Sequence, residues 1–138
     1  MFGMLISGWL TDRVNRVALL ASIFFVRGLS FVLLLNVGAN YQTLAIFAVI
    51  FGLADYSTVP VTVSICASHL GIRNLGFAFG LISGGHAVAA ALGAILGGLL
   101  FSATGDYSLM WLVGLWTSLG AGAIVLALTL TRPASAAA

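Results

Sequence analysis

The sequence predicts an all-α polytopic transmembrane helix bundle, and three observations lead there. Hydrophobic residues make up 62% of the 138 residues and charged residues 6%, with a mean hydropathy of +1.20. A soluble domain carries roughly a quarter charged residues. So much apolar surface cannot all be buried in a core of this size, and its natural solvent is lipid. Second, stretches of bilayer length are separated by short polar connectors. Third, the arginines outside these stretches, Arg13, Arg16, Arg73 and Arg132, all fall on one side of the alternation.

Residues 1–10 are apolar, but as a helix they cover only about 15 Å, half of a hydrocarbon core of about 30 Å. They also lack the positive start and cleavage site of a signal peptide, so they read as a helix stub. The polar connector 11–16 follows. Residues 17–37 form the first full span, and a turn around Gly38 and Asn40 leads to a second span over 43–68. Within it, Pro60 removes one backbone donor and predicts a kink near Tyr56. A connector at 69–74 precedes the third span, 75–101. The turn Thr104-Gly105-Asp106, with Asp106 as a turn or N-cap residue, opens the fourth span, 109–131. Arg132 and Pro133 end that helix, and the Ala-rich tail 132–138 is expected to fray.

Arg13 and Arg16 precede the first span, Arg73 lies between the second and third, and Arg132 follows the fourth. The opposite connectors carry no Lys or Arg. By the positive-inside rule, connectors 11–16 and 69–74 and the C-terminus face the cytoplasm.

Several classes of function are excluded or unsupported. Cys66 is the single cysteine, so there is no internal disulfide framework and no cysteine-based zinc site. It reads as a small apolar helix residue. No basic stripe with interleaved aromatics points to nucleic acid. No phosphate loop, nucleophile elbow or pair of catalytic carboxylates supports an enzyme or an ATP-driven pump. No cofactor or metal is expected. The partners implied are the lipid bilayer and a small-molecule solute.

Three polar side chains lie inside the spans. Arg27 is about 15 Å along the first, Asp55 about 18 Å along its antiparallel neighbour, and His86 about 16 Å into the third. All three fall near the midplane, where a charge costs at least about 2.5 kcal/mol and must be paired or face water. Arg27 and Asp55 have opposite sign and similar depth on consecutive helices, which makes each the other's natural partner. Either they form a structural pair that fixes helix register, or one of them meets an anionic solute or relays a proton. His86 is the best candidate for transport chemistry, because an imidazole with an ordinary pKa near 6.5 suits proton coupling. A neutral histidine bonded to a neighbour explains it equally well. Tyr56 and Trp111 read as packing or interfacial aromatics.

Gly80 and Gly84 are four apart, as are Ala89, Gly93 and Gly97. Small residues at that spacing line one helix face and allow close approach of another helix. The third span is therefore expected to be the most tightly packed helix, either permanently or as a place of sliding and bending.

The first connector carries the most specific pattern. Gly8-Trp-Leu10-Thr-Asp12-Arg13-Val-Asn15-Arg16 holds three of the eight formal charges, in a chain with no Lys and no Glu. It resembles the signature loop of the major facilitator superfamily, usually Gly-x-Leu-Ala-Asp-Arg-x-Gly-Arg. Gly8, Leu10, Asp12, Arg13 and Arg16 match. Thr11 stands for the small residue and Asn15 for the second Gly, a mild departure because Asn tolerates a left-handed backbone. Val17 lacks the basic residue common after the last Arg. The segments Phe51-Gly52-Leu53-Ala54 with Thr58-Val59-Pro60, Gly76 to Ile82, Gly84-Gly85-His86, Gly97 to Phe101 and Thr104 to Tyr107 are similar to late helix eight through helix twelve of such a transporter. They are closest to bacterial monocarboxylate-type and oxalate/formate-type members.

This resemblance implies a partial C-terminal half of the family's fold, four full spans plus the stub, in a bacterial cytoplasmic membrane. It implies a secondary transporter of a small organic anion, driven by protons or by exchange. In the family the signature loop acts mechanically: Asp12 would dock on a helix N-terminus and hold the cytoplasmic side closed. The tenth and eleventh helices line the cavity, whereas the ninth, carrying Arg27, is peripheral. The chain is expected to be a fragment that is inactive without the N-terminal helices. The alternative is a freestanding small membrane protein that acts as an assembly or regulatory partner. DNA upstream of Met1 separates the two: a fragment predicts an in-frame extension with about seven further apolar spans, a small protein its own start signals.

Overall fold

The computed structural model describes residues 2–36 and 41–130. They form four helices in the order α1 (Phe2–Thr11), α2 (Arg16–Leu35), α3 (Tyr41–Thr104) and α4 (Ser108–Leu130), with no strand among the described residues. The helices α2, α3 and α4 are long and apolar enough to cross a membrane. The chain is thus an all-α transmembrane bundle. The expected turn at Gly38 and Asn40 and the tail from Arg132 lie outside the described residues.

The short α1 ends at Thr11, and the amides of Arg13 and Val14 both return to the Leu10 carbonyl, 3.0 Å away in each case. The next helix starts because Asn15 caps it. The Asn15 side-chain oxygen accepts hydrogen bonds from the amides of Val17 and Ala18 at 3.0 and 3.4 Å, satisfying two of the donors that a helix start leaves open. The expectation that Asn15 replaces a glycine in a left-handed backbone is corrected: its φ is −58°.

The break between the second and third spans falls inside the expected connector 69–74, but it is narrower than six residues. α3 runs for 64 residues, and Gly71 is its non-helical residue, with φ 72° and ψ 164°. A straight helix of that length would extend about 96 Å. A single glycine turns it instead, because only a residue without Cβ adopts this backbone readily. The polar residues around the break remain helical: His69 Nδ1 lies 2.8 Å from the Ile65 carbonyl and Asn74 Nδ2 3.5 Å from that of Leu70. Pro60 lies inside the first arm, and the residue that leaves helical φ/ψ is Gly71. Beyond it the second arm, 72–104, returns beside the first, 41–70: Phe79, Ile82, Ser83 and His86 share a cleft with Asp55, Val59 and Thr62.

α2 is the hub. One side meets the first arm of α3 in a core of Leu19, Ile23, Ala54 and Val61, extended by Leu10, Leu20 and Ile65. The other side meets α4 closely enough that a Cβ added to Gly114 would lie 2.7 Å from Phe31 Cζ. α1 presses equally close on α3. A Cβ on Gly3 would meet the Leu53 carbonyl oxygen at 2.6 Å, and the Ser57 hydroxyl donates across the interface to the Gly3 carbonyl at 3.0 Å. Ser7 and Thr11, one and two turns on, are buried on the same side.

These contacts correct the expectation that 75–101 is the tightest helix. Nothing lies within 4 Å of a Cβ at Gly80 or Gly84, and Gly93 and Gly97 meet only the flexible Met110 side chain, at 3.9 and 3.8 Å. Spacing shows where a close approach is permitted. A facing helix must still be supplied, and within this chain the tight interfaces form on α1, α2 and α4.

Two outcomes follow. Gly3→Ala forces a side chain against backbone and should cost about 1–3 kcal/mol, whereas Gly80→Ala should leave thermal stability unchanged or slightly raised. Ahead of α4, Asp106 accepts hydrogen bonds from the Ser108 hydroxyl and from the Tyr107 amide. The Ser108 contact, first among several, holds its carboxyl below the ordinary 3.8. A depressed folded-state pKa stabilises above the unfolded value and is lost as pH falls through the folded one. Asp106→Asn should therefore lower the melting temperature at pH 7, and the difference from wild type should close as the pH drops below 3.8.

Candidate functional site

The three intramembrane polar residues come from three stretches of chain and line one cleft of about 400 Å³. α2 contributes Phe24 and Arg27, the first arm of α3 contributes Asp55, Tyr56, Thr58, Val59 and Thr62, and the second arm contributes Phe79, Ile82, Ser83 and His86. The lining is mostly apolar with a few polar groups, the usual chemistry of a small-molecule site.

Arg27 and Asp55 meet. Arg27 Nη1 lies 3.0 Å from Asp55 Oδ1, with the side chains 25% and 39% exposed. The contact is charge-assisted, and each partner offsets the cost of the other's charge at that depth. Phe51, one turn before Asp55, places its ring under the guanidinium, 5.0 Å from the centroid to Cζ. Arg27 Nε is buried and has no acceptor among the described residues. The Asp55 backbone carbonyl takes a hydrogen bond from Thr58 Oγ1 at 2.6 Å, within the helix's own turn.

His86 faces the cleft from the returning arm and is exposed to it. It makes no hydrogen bond among the described residues. The break at Gly71 puts it there. Gly71 lies sixteen residues after Asp55 and fifteen before His86, so the two arms bring these residues together at nearly equal distance from the turn. An eleven-residue depth count anticipated the level, but it could not show that one glycine would do the turning.

The signature-loop residues stand apart from this cleft. Gly8 has open space around it. Leu10 packs on the core. The Arg13 guanidinium lies over the Trp9 ring at 4.2 Å. Asp12 is exposed, with no ion pair or hydrogen bond among the described residues, and Arg16 opens α2. The reading missed two things that organise the site. The aromatic group Phe31, Phe47 and Phe51 flanks the ion pair, with ring centroids 5.3 to 6.0 Å apart; the four-residue spacing Phe47, Phe51, Asp55 was the available signal. Asn15 as the cap of α2 was signalled by its place just before an apolar run.

If the ion pair ties α2 to α3, each single loss leaves a charge stranded. Arg27→Ala and Asp55→Asn should each cost about 1–3 kcal/mol, and the double variant less than their sum. Thermal melts in nanodiscs read this directly. Two singles at wild-type stability would remove the pair as a structural element.

No group of three or more His, Cys, Asp or Glu that could hold a metal occurs among the described residues. A sequence model described as Major Facilitator Superfamily matches residues 1–138. The uncharacterized MFS-type transporter YcxA of Bacillus subtilis (strain 168) is 34% identical over 113 residues, covering 78% of this chain and 28% of that protein. The chain therefore spans about 28% of the length of this curated relative. No solved structure matches. With its apolar helices and short charged connectors, the chain is a multi-pass membrane protein and belongs to the major facilitator superfamily, whose members are transporters rather than enzymes.

Proposed function

We propose that this chain is the C-terminal portion of a secondary active transporter for a small organic anion, in the class of monocarboxylates, moved with protons or by exchange. The observation that carries the reading is the cleft itself. It places a cation, a carboxylate and an imidazole together at mid-helix depth, in a chain of the transporter family. Ionisable groups within membrane helices are costly and mark solute or proton paths. Arg27 supplies the positive charge an anion needs. Asp55 neutralises that charge when the solute is absent, and His86 is the group through which a coupled proton would pass.

In the complete protein, N-terminal helices close the cleft and carry the partner on which Asp12 of the signature loop docks. The Arg13, Arg16 and Arg73 side of the bundle faces the cytoplasm of a bacterium, and the first of these connectors works as a gate. The glycine face of the second arm, at Gly80 and Gly84, meets those further helices.

The test is uptake of radiolabelled lactate into proteoliposomes that hold the complete transporter polypeptide. An inward proton gradient should drive uptake, and His86→Gln should reduce the gradient-driven rate at least about tenfold. Uptake that ignores both the gradient and the substitution would overturn the proton-coupled reading.

A further inference from the structure

We infer that Phe51 is a positioning residue: its ring, wedged by Phe31 and Phe47, keeps the Arg27 guanidinium aimed at the cleft when Asp55 is not holding it. The inference rests on the reading of the cleft as the solute's passage.

Arg27 is under-held by hydrogen bonds. A guanidinium offers five donors in a plane, yet the bond to Asp55 is made at one corner, Nη1, and the buried Nε finds no acceptor among the described residues. A single corner contact leaves the plane free to rotate about it. The second constraint is the face of Phe51, 5.0 Å from Cζ, whose negative quadrupole attracts the cation without using any of its donors. Phe51 and Asp55 are four residues apart on one helix, so they grip the same guanidinium from adjacent turns.

The ring itself is fixed. Phe47 stacks on it at 5.3 Å with an interplanar angle of 28°, and Phe31 meets it edge-on at 5.5 Å and 74°. Phe31 in turn fills the space left by Gly114 of α4. A line of contacts therefore runs from α4 through Phe31 and Phe51 to Arg27. Such a support suits a group that must exchange one carboxylate for another. A second acidic residue in place of Phe51 would occupy the guanidinium permanently, whereas a ring orients it and leaves its donors to the incoming anion. The ring also carries no proton, so its hold does not change with pH.

Two measurements on the complete transporter test this. The first is arginine Nε–Hε NMR in lipid nanodiscs, with the Arg27 signal assigned by its loss in Arg27→Lys. That signal should be shifted upfield by the ring. It should keep the shift in Asp55→Asn and in Phe51→Trp, and lose it in Phe51→Leu. The second is lactate uptake, in which Phe51→Leu should raise KM roughly three- to tenfold with little change in the maximal rate, and Phe51→Trp should restore it. A signal unmoved by Phe51→Leu, a shift that collapses in Asp55→Asn, or an unchanged KM would overturn the inference. If wild type takes up no lactate, the transport reading fails, and the NMR shift alone decides whether Phe51 positions Arg27.

Discussion

Two opposite charges at the same depth of a lipid-facing bundle must find each other, and the arrangement of this chain follows from that constraint. The cost of an isolated charge in hydrocarbon exceeds what one side chain recovers by packing. Arg27 and Asp55 meet at 3.0 Å and so set the rotation and height of α2 against the first arm of α3. With that contact fixed, Leu19 and Ile23 are brought onto Ala54 and Val61, and the α2 surface at Gly28 and Phe31 is left for α4. Burial alone would tolerate sliding between two such apolar helices, because lipid solvates their side chains as well as another helix does. The ion pair removes that freedom.

The second organising choice is where the chain turns back. Gly71 concentrates the reversal in one residue and leaves helix on both sides, so the returning arm begins close to the first and carries His86 to the level of the ion pair. The arm is otherwise little packed. Most of its side chains from residue 80 to 96 are exposed, and the glycines that could bring a neighbour close face open space. The site therefore has two walls of different character. The wall made by α2 and the first arm is tied by charge, aromatic contact and close helix approach, while the wall bearing His86 makes few contacts with the other described residues.

Much of this was readable in the sequence because lipid simplifies the problem. Apolar runs gave the helices to within a few residues, and counting 1.5 Å per residue put Arg27, Asp55 and His86 at one level before any contact was seen. The family was legible in one connector, from Gly8 to Arg16. Three features were not. The reversal was placed within residues 69–74, but its narrowness was not: the His69 and Asn74 side chains bond to helix carbonyls, and only Gly71 leaves the helix. The glycine periodicity at 80, 84, 93 and 97 marked a face without showing that a neighbour covers it, whereas the face actually pressed against a helix, through Gly3, Ser7 and Thr11, mixes residue types and escaped notice. Asn15 was read as a tolerant backbone when its side chain was the point. In each case the sequence carried the residue's capacity, and the tertiary neighbour decided which capacity was used.

The account turns on the claim that the Arg27–Asp55 contact holds α2 and α3 in register around the cleft. The most direct measurement is a charge swap, comparing Arg27→Asp and Asp55→Arg alone with the two combined, by thermal unfolding of the protein in nanodiscs. Each single reversal places two like charges together at mid-depth and should unfold or strongly destabilise the bundle. The combined swap restores an opposite pair and should recover most of the wild-type melting temperature. A double variant no more stable than either single would show that the two residues do not act on each other, and the central contact would have to be abandoned.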